Sequence, residues 1–193
     1  TTPITLNNIV HRTIQSSLKA GECVDKLIQL KASHNVDLSC LLLDCCAELS
    51  TYDITYGLVA GKFCRRDKIY VQKFERAFHV TYNEIQQEFG TIKIQNTAKF
   101  FGCLLSTNSI SWNILSCILQ NKNDFTNSRR AFTMFLFQEL FQYMGPAELC
   151  NKLKDPSLQS VLLLKDNPRN VKLAINFFVG IGLNCLSDDL RNL

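Results

Sequence analysis

The 193-residue chain is 46% apolar and 20% charged, with a formal net charge of +4 at pH 7. Such a length and balance can bury a hydrophobic core without staples, and they exclude a disordered or coiled-coil chain. Eight Gly and four Pro are too few for a loop-rich all-β protein, and the mild charge permits RNA contact without requiring it.

In chain order, Leu38 to Cys46 is apolar nearly all round, as expected of a helix in the middle of a domain. Ser50 followed by Asp53 resembles a capping box that opens the next helix. Gly57 and Gly61 fall in that helical run, where small residues permit close packing. From Asp67 to Phe89 the residues Tyr70, Phe74, Phe78, Tyr82, Ile85 and Phe89 recur every three or four positions, which predicts one long helix. Its opposite face carries Lys68, Lys73, Arg76, Glu84 and Gln87.

The polar, Asn-rich segment Asn121 to Ser128 reads as an exposed loop. It would divide a single domain, 1–193, into an N-terminal half (1–120) and a C-terminal half (129–193). Ala131 to Met144 is again apolar nearly all round, and Gly145-Pro146 closes that helix and opens another. Asp155-Pro156 and Asn167-Pro168 each place a cap before a Pro at the first helical position. Val171, Ala174, Ile175, Phe178 and Ile181 then mark a further amphipathic helix. No stretch alternates with a period of two, so no sheet is predicted. The punctuation implies about ten to twelve helices of roughly 8 to 22 residues joined by short turns. The expected fold class is all-α: stacked antiparallel helix pairs in a HEAT-like helical-repeat domain.

Nine cysteines, an odd number scattered through apolar runs, do not form a disulfide framework and read as buried thiols in a reducing compartment. No Cys-x-x-Cys or His-x-x-x-His occurs, so no metal site is expected. The three His have no local signal that pairs them with a nucleophile: His34 falls in the polar turn Ala32 to Asn35, and His11 and His79 lie on predicted helices. Phosphate-binding glycine loops are lacking, and neither enzyme activity nor a cofactor is expected. No apolar run approaches the length that spans a bilayer. The chain lacks an initiating Met and reads as part of a larger protein.

Basic residues cluster at Arg65-Arg66-Asp67-Lys68, at Arg129-Arg130 and at Arg169 with Lys172. Each cluster can be a solvated helix end, or a contact for RNA phosphate or an acidic protein surface. Arg169 follows Pro168 at a predicted helix N-terminus, where the dipole disfavours a cation and some compensation is needed. Tyr52 and Tyr56 could anchor a partner or stack on a base, but their spacing of four suits a buried helical face, which is the expectation here.

The run Asp166-Asn167-Pro168-Arg169-Asn170, with Ala174-Ile175-Asn176-Phe177-Phe178 and Ile181-Gly182-Leu183, resembles the end of the MA-three domain in splicing factors of the Cwc-twenty-two family. Arg12-Thr13-Ile14, Leu43-Asp44-Cys45-Cys46, Trp112 with Leu115, and Phe137-Gln138-Glu139-Leu140 extend the resemblance over most of the chain. The resemblance implies an all-helical, non-enzymatic docking module of a nuclear spliceosome component. That component also resembles initiation factor four-G in pairing a middle domain with this one. Its implied place is near the 5′ exon, linked to activation by a DEAH-box ATPase. Implied partners are spliceosomal core proteins, with a DEAH-box or DEAD-box RNA helicase and weak RNA contact as further ones. A monomer and no membrane association are expected.

Some MA-three relatives grip a DEAD-box helicase through acidic residues on the helix corresponding to Val71 to Phe78. Glu75 matches one such position, and Val71 stands at the other. Arg169, Asn170, Lys172, Arg65, Arg66 and Glu75 are therefore the candidate partner contacts. Two alternatives remain: an RNA-binding helical repeat, and the equivalent domain of a nucleolar ribosome-biogenesis factor.

Overall fold

The computed structural model describes residues 3–17, 19–85, 89–120, 126–161, 172, 176, 178–180 and 184–191. Its helices are α1 (Pro3–Ser16), α2 (Ala20–His34), α3 (Leu38–Ala47), α4 (Ile54–Arg66), α5 (Lys68–Glu84) and α6 (Thr91–Ser106). A 3-10 turn (Trp112–Leu115) then leads into α7 (Ser116–Gln120), followed by α8 (Asn127–Leu153), α9 (Pro156–Val161) and α10 (Asn184–Arg191). Among the described residues there is no strand. The even-numbered helices form one layer, α2 against α4, α4 against α6 and α6 against α8. The odd-numbered α1, α3 and α5 line up as a second layer laid on the first. The all-α fold class of stacked helix pairs is thus the observed one.

One capping device recurs. Asp37, Asp53, Asp67 and Asp155 each stand just before a helix, with Oδ1 accepting from the backbone N–H two residues on at 2.9 Å. Each such bond satisfies one orphan donor and contributes about 1 kcal/mol. Asp67 serves twice, since its own N–H also donates to the Phe63 carbonyl and closes α4. Asp155 with Pro156 follows the expectation, as does Gly145, whose φ of 77° breaks α8 ahead of Pro146.

Several expectations are corrected. The cap of α4 is Asp53, not Ser50, because the Asp53 carboxylate reaches Thr55 N–H directly. Tyr52 precedes that helix, so it shares no helical face with Tyr56; its hydroxyl donates to the Lys99 carbonyl. The helix begun at Lys68 ends at Glu84, leaving Phe89 outside it and exposed, because Gly90 already caps α6. His34 closes α2 rather than sitting in a turn, with the left-handed Asn35 (φ 50°) as the terminating residue. Asn127 and Ser128 are helical, capped by the Thr126 hydroxyl, so the Asn-rich loop is shorter than expected at that end. Seven cysteines are free thiols among the described residues, but Cys150 is disulfide-bonded, which the reading of all nine as thiols did not anticipate. The Asn167-Pro168 cap and most of the helix expected over Val171 to Ile181 lie outside the described residues.

The core is aromatic where α5, α6 and α8 meet. Phe78 contacts Phe101 at a centroid distance of 5.1 Å and Phe132 at 5.8 Å, both edge to face. Tyr82 and Phe100 extend the cluster, and all five rings are fully buried. Burying each ring contributes about 1.5–3 kcal/mol, with edge-to-face pairing adding to that. Glycines bring the even layer close. A Cβ on Gly57 would lie 2.7 Å from Cys103 Cβ, and one on Gly102 would lie 2.9 Å from Glu139 Cβ.

Candidate partner-binding surface

Arg65 and Arg66 occupy the last turn of α4, both exposed, where the helix dipole favours cations. Arg66 donates to Asp25 on α2 through an exposed ion pair, which contributes at most about 1 kcal/mol. One layer over, Lys73 of α5 binds Asp37 at 2.6 Å. Burial alone would raise the Asp37 pKa, but hydrogen bonds from Lys73 and Ser39 overcome it and hold the carboxyl down at about 2.

Glu75, half-buried on α5, accepts a hydrogen bond at 2.8 Å from the Ser111 N–H. One of its oxygens is therefore spent on anchoring the start of the 3-10 turn. Lys172 is exposed on a helical residue, whereas Arg169 and Asn170 lie outside the described residues. The six candidates thus divide: Arg65 and Arg66 are adjacent at one corner, Glu75 is engaged within the fold, and no described contact joins Lys172 to them.

The basic pair Arg129-Arg130 splits. Arg130 is exposed, while Arg129 is buried and donates to the carbonyls of Tyr82 at 3.1 Å and Asn83 at 2.8 Å. Its guanidinium lies 5.5 Å from the centre of the Tyr82 ring. Arg129 thereby occupies the unsatisfied C-terminal carbonyls of α5 from a helix 46 residues away, a role with no local sequence signal. Sequence reasoning also missed Glu139, buried on α8 with Lys99 Nζ at 3.7 Å as its ion partner. Burial raises its pKa and Lys99 opposes the rise. Lys99 also sits 5.5 Å over the Tyr52 ring, so the loop before α4, α6 and α8 meet at this pair.

The thiols are poor nucleophiles. Burial pushes Cys45, Cys64, Cys103 and Cys117 up to about 12, the opposite of the lowered pKa that activates a cysteine. His11 Nδ1 hydrogen-bonds the Tyr56 hydroxyl, His34 Nδ1 meets the Leu30 carbonyl, and His79 lies edge-on to Phe78. Among the described residues no three His, Cys, Asp or Glu side chains gather as a metal site. None of the described helices is long and apolar enough to cross a membrane.

Comparison with known proteins gives a consistent picture. Residues 7–111 match the MA3 domain. The chain is 47% identical, over 97% of its length, to a pre-mRNA-splicing factor CWC22 homolog of Drosophila melanogaster, of which it covers 14%. It is 42% identical, over the same share, to the CWC22 homolog of Homo sapiens, covering 21% of that protein. Against pre-mRNA-splicing factor CWC22 of Mycosarcoma maydis the identity is 36%, again over 97% of the chain and 22% of the relative. The chain therefore spans less than a quarter of the length of each of these three relatives.

Proposed function

From the premise that the chain belongs to the MA3 domain family, we propose that it is a protein-docking module of a nuclear pre-mRNA-splicing factor. The observation that carries this reading is the similarity to CWC22 proteins over 97% of the chain, from a fly to a fungus. The chemistry agrees with a binding role. Cations stand exposed at the α4 corner, and burial holds the Cys45, Cys64, Cys103 and Cys117 thiols well above their ordinary range. Neither the family description nor the relatives' names denote an enzyme.

The module would dock on spliceosomal core proteins near the 5′ exon and support activation by a DEAH-box ATPase. Its contacts would be drawn from Arg65, Arg66, Lys172, Arg169 and Asn170. Glu75 would contribute one oxygen at most, the other being held by Ser111.

A pull-down from nuclear extract at low and high salt tests this, with Arg65→Glu/Arg66→Glu and Arg169→Glu variants alongside. Spliceosomal proteins recovered at both salt concentrations by the parent chain, and reduced by either variant, are the expected result. Recovery of RNA alone, lost steeply as salt rises, would replace docking with phosphate tracking. Recovery of ribosome-biogenesis proteins instead would point to the nucleolar reading.

A further inference from the structure

Cations gather where α4 turns into α5. Lys62, Arg65 and Arg66 belong to α4, Lys68 opens α5, and all of them are exposed. On the neighbouring helices Lys26, Lys73, Lys93 and Lys99 each hold an acid at 2.6 to 3.7 Å. At this corner the pairing is incomplete. Arg66 donates to Asp25, while Lys62, Arg65 and Lys68 have no acid within ion-pair distance among the described residues. Asp67, the acid in their midst, is engaged in capping α5. α4 contains no acid of its own. Lys62 stands three and four residues before Arg65 and Arg66, so like charges face one another along one side of the helix. The negative C-terminal end of the helix dipole offsets part of that repulsion, and an external counter-charge would relieve the rest.

An apolar residue borders the cations on either side. Leu58 lies one turn before Lys62 and is 40% exposed, and Ile69 follows Lys68 and is 47% exposed. Both stand outside the core and the apolar residues packed against it. Helical geometry places Leu58, Lys62 and Arg65 within about 60° of one another around α4. From Leu58 to Arg66 the helix rises about 12 Å, which an extended segment spans in about four residues. Cations flanked by exposed aliphatic side chains match a protein segment, whereas RNA presents phosphates and bases but no aliphatic groups. Asp25 and Asp67, standing among the cations, would also repel a continuous track of phosphates.

We propose that this corner binds a short acidic segment of a partner protein, whose carboxylates meet Lys62, Arg65 and Lys68 and whose flanking apolar residues cover Leu58 and Ile69. The inference rests on the docking reading above and names the chemistry of the ligand at that site. Arg65 carries the largest share, since a planar guanidinium can hold a carboxylate through two parallel hydrogen bonds. Arg66 contributes less, because Asp25 already engages it.

The test is fluorescence anisotropy with a short labelled synthetic peptide, leucines at both ends and aspartates and glutamates between. Saturable binding to the parent chain is expected. Lys62→Glu/Arg65→Glu should weaken it about tenfold or more, and Leu58→Ser/Ile69→Ser several-fold, with circular dichroism unchanged in both. Serines in place of the peptide's leucines should also weaken binding several-fold. Absence of saturable binding, or equal binding by the Lys62→Glu/Arg65→Glu variant, would overturn the proposal. Equal binding of the serine-ended peptide would overturn it too, because the apolar flanks would then have no role. A single-stranded oligouridine that displaces the peptide, with an affinity falling steeply as salt rises, would replace the acidic segment with RNA. The nuclear-extract pull-down keeps the two claims apart. Spliceosomal proteins lost by Arg65→Glu/Arg66→Glu, while the parent chain ignores the peptide, would remove the acidic segment and leave docking intact. Peptide binding without spliceosomal recovery would support the acidic segment and sink docking.

Discussion

The seam between α6 and α8 and the rim of α2 to α5 differ at their outer edges. At the seam, Gly102 lets α8 approach until a Cβ would stand 2.9 Å from Glu139, and aromatic rings fill the space beside it. Along the rim, Arg66–Asp25 and Lys73–Asp37 connect helices through half-exposed to exposed pairs. These pairs lie outside a core that is as tightly packed there as at the seam, with Gly57 against Cys103 and Leu27, Leu42 and Phe63 fully buried. The difference teaches that one helix-pair architecture can keep a continuous buried core and leave charge-mediated contacts at its outer edge, where a partner can act.

The largest expected effect is at the seam. Gly102→Ala should destabilise the fold by about 1–3 kcal/mol, because the added methyl meets the Cβ and Cγ of a buried side chain. Gly21→Ala is the control: it lies within α2 with nothing inside 4 Å, and Ala there should stabilise by about 0.5–1 kcal/mol. Urea unfolding of both variants measures the contrast, and equal signs would erase it. Next comes Asp67→Ala, which removes the α5 cap and should cost about 1 kcal/mol, measured the same way.

The smallest effect is the acid response of the rim. Asp37 has its pKa lowered to about 2, below the ordinary value near 4, so its stabilisation is fully present above about pH 4 and is lost as pH falls toward 2. Asp37 is partly exposed and screened, which limits the loss to under about 1 kcal/mol. The stability gap between the parent chain and Asp37→Asn should therefore close across that window. A gap that stays constant would show that the Lys73 pair contributes nothing.

What could be read from the sequence was local. Asp155-Pro156 and Gly145-Pro146 carry their geometry in two residues, and the period of Tyr70, Phe74, Phe78 and Tyr82 gives the buried face of α5 directly. Phe89 continued that period by coincidence, and only the start of α6 at Gly90 shows where the helix must stop. Ser50 imitated a cap because a hydroxyl three residues before an acid is a common helix opening, yet the acid itself was the cap. In the candidate site, the exposure of Arg65 and Arg66 followed from their place at a helix end. The engagements of Arg66 with Asp25, Glu75 with Ser111 and Arg129 with Tyr82 span 36 to 47 residues, and only the fold brings them together.

Asp67 leaves α4 and α5 no play. A single residue ends one helix and begins the next, so the corner has no hinge to absorb added length. One residue inserted into the first turn beyond it would rotate the rest of α5 by about 100° relative to its present phase. Tyr70, Phe74, Phe78 and Tyr82 would then swing off the core together. Lengthening or shortening of this domain over evolutionary time must accordingly be accommodated at other junctions, and a domain built this way transmits a push on α4 to α5 as a lever would.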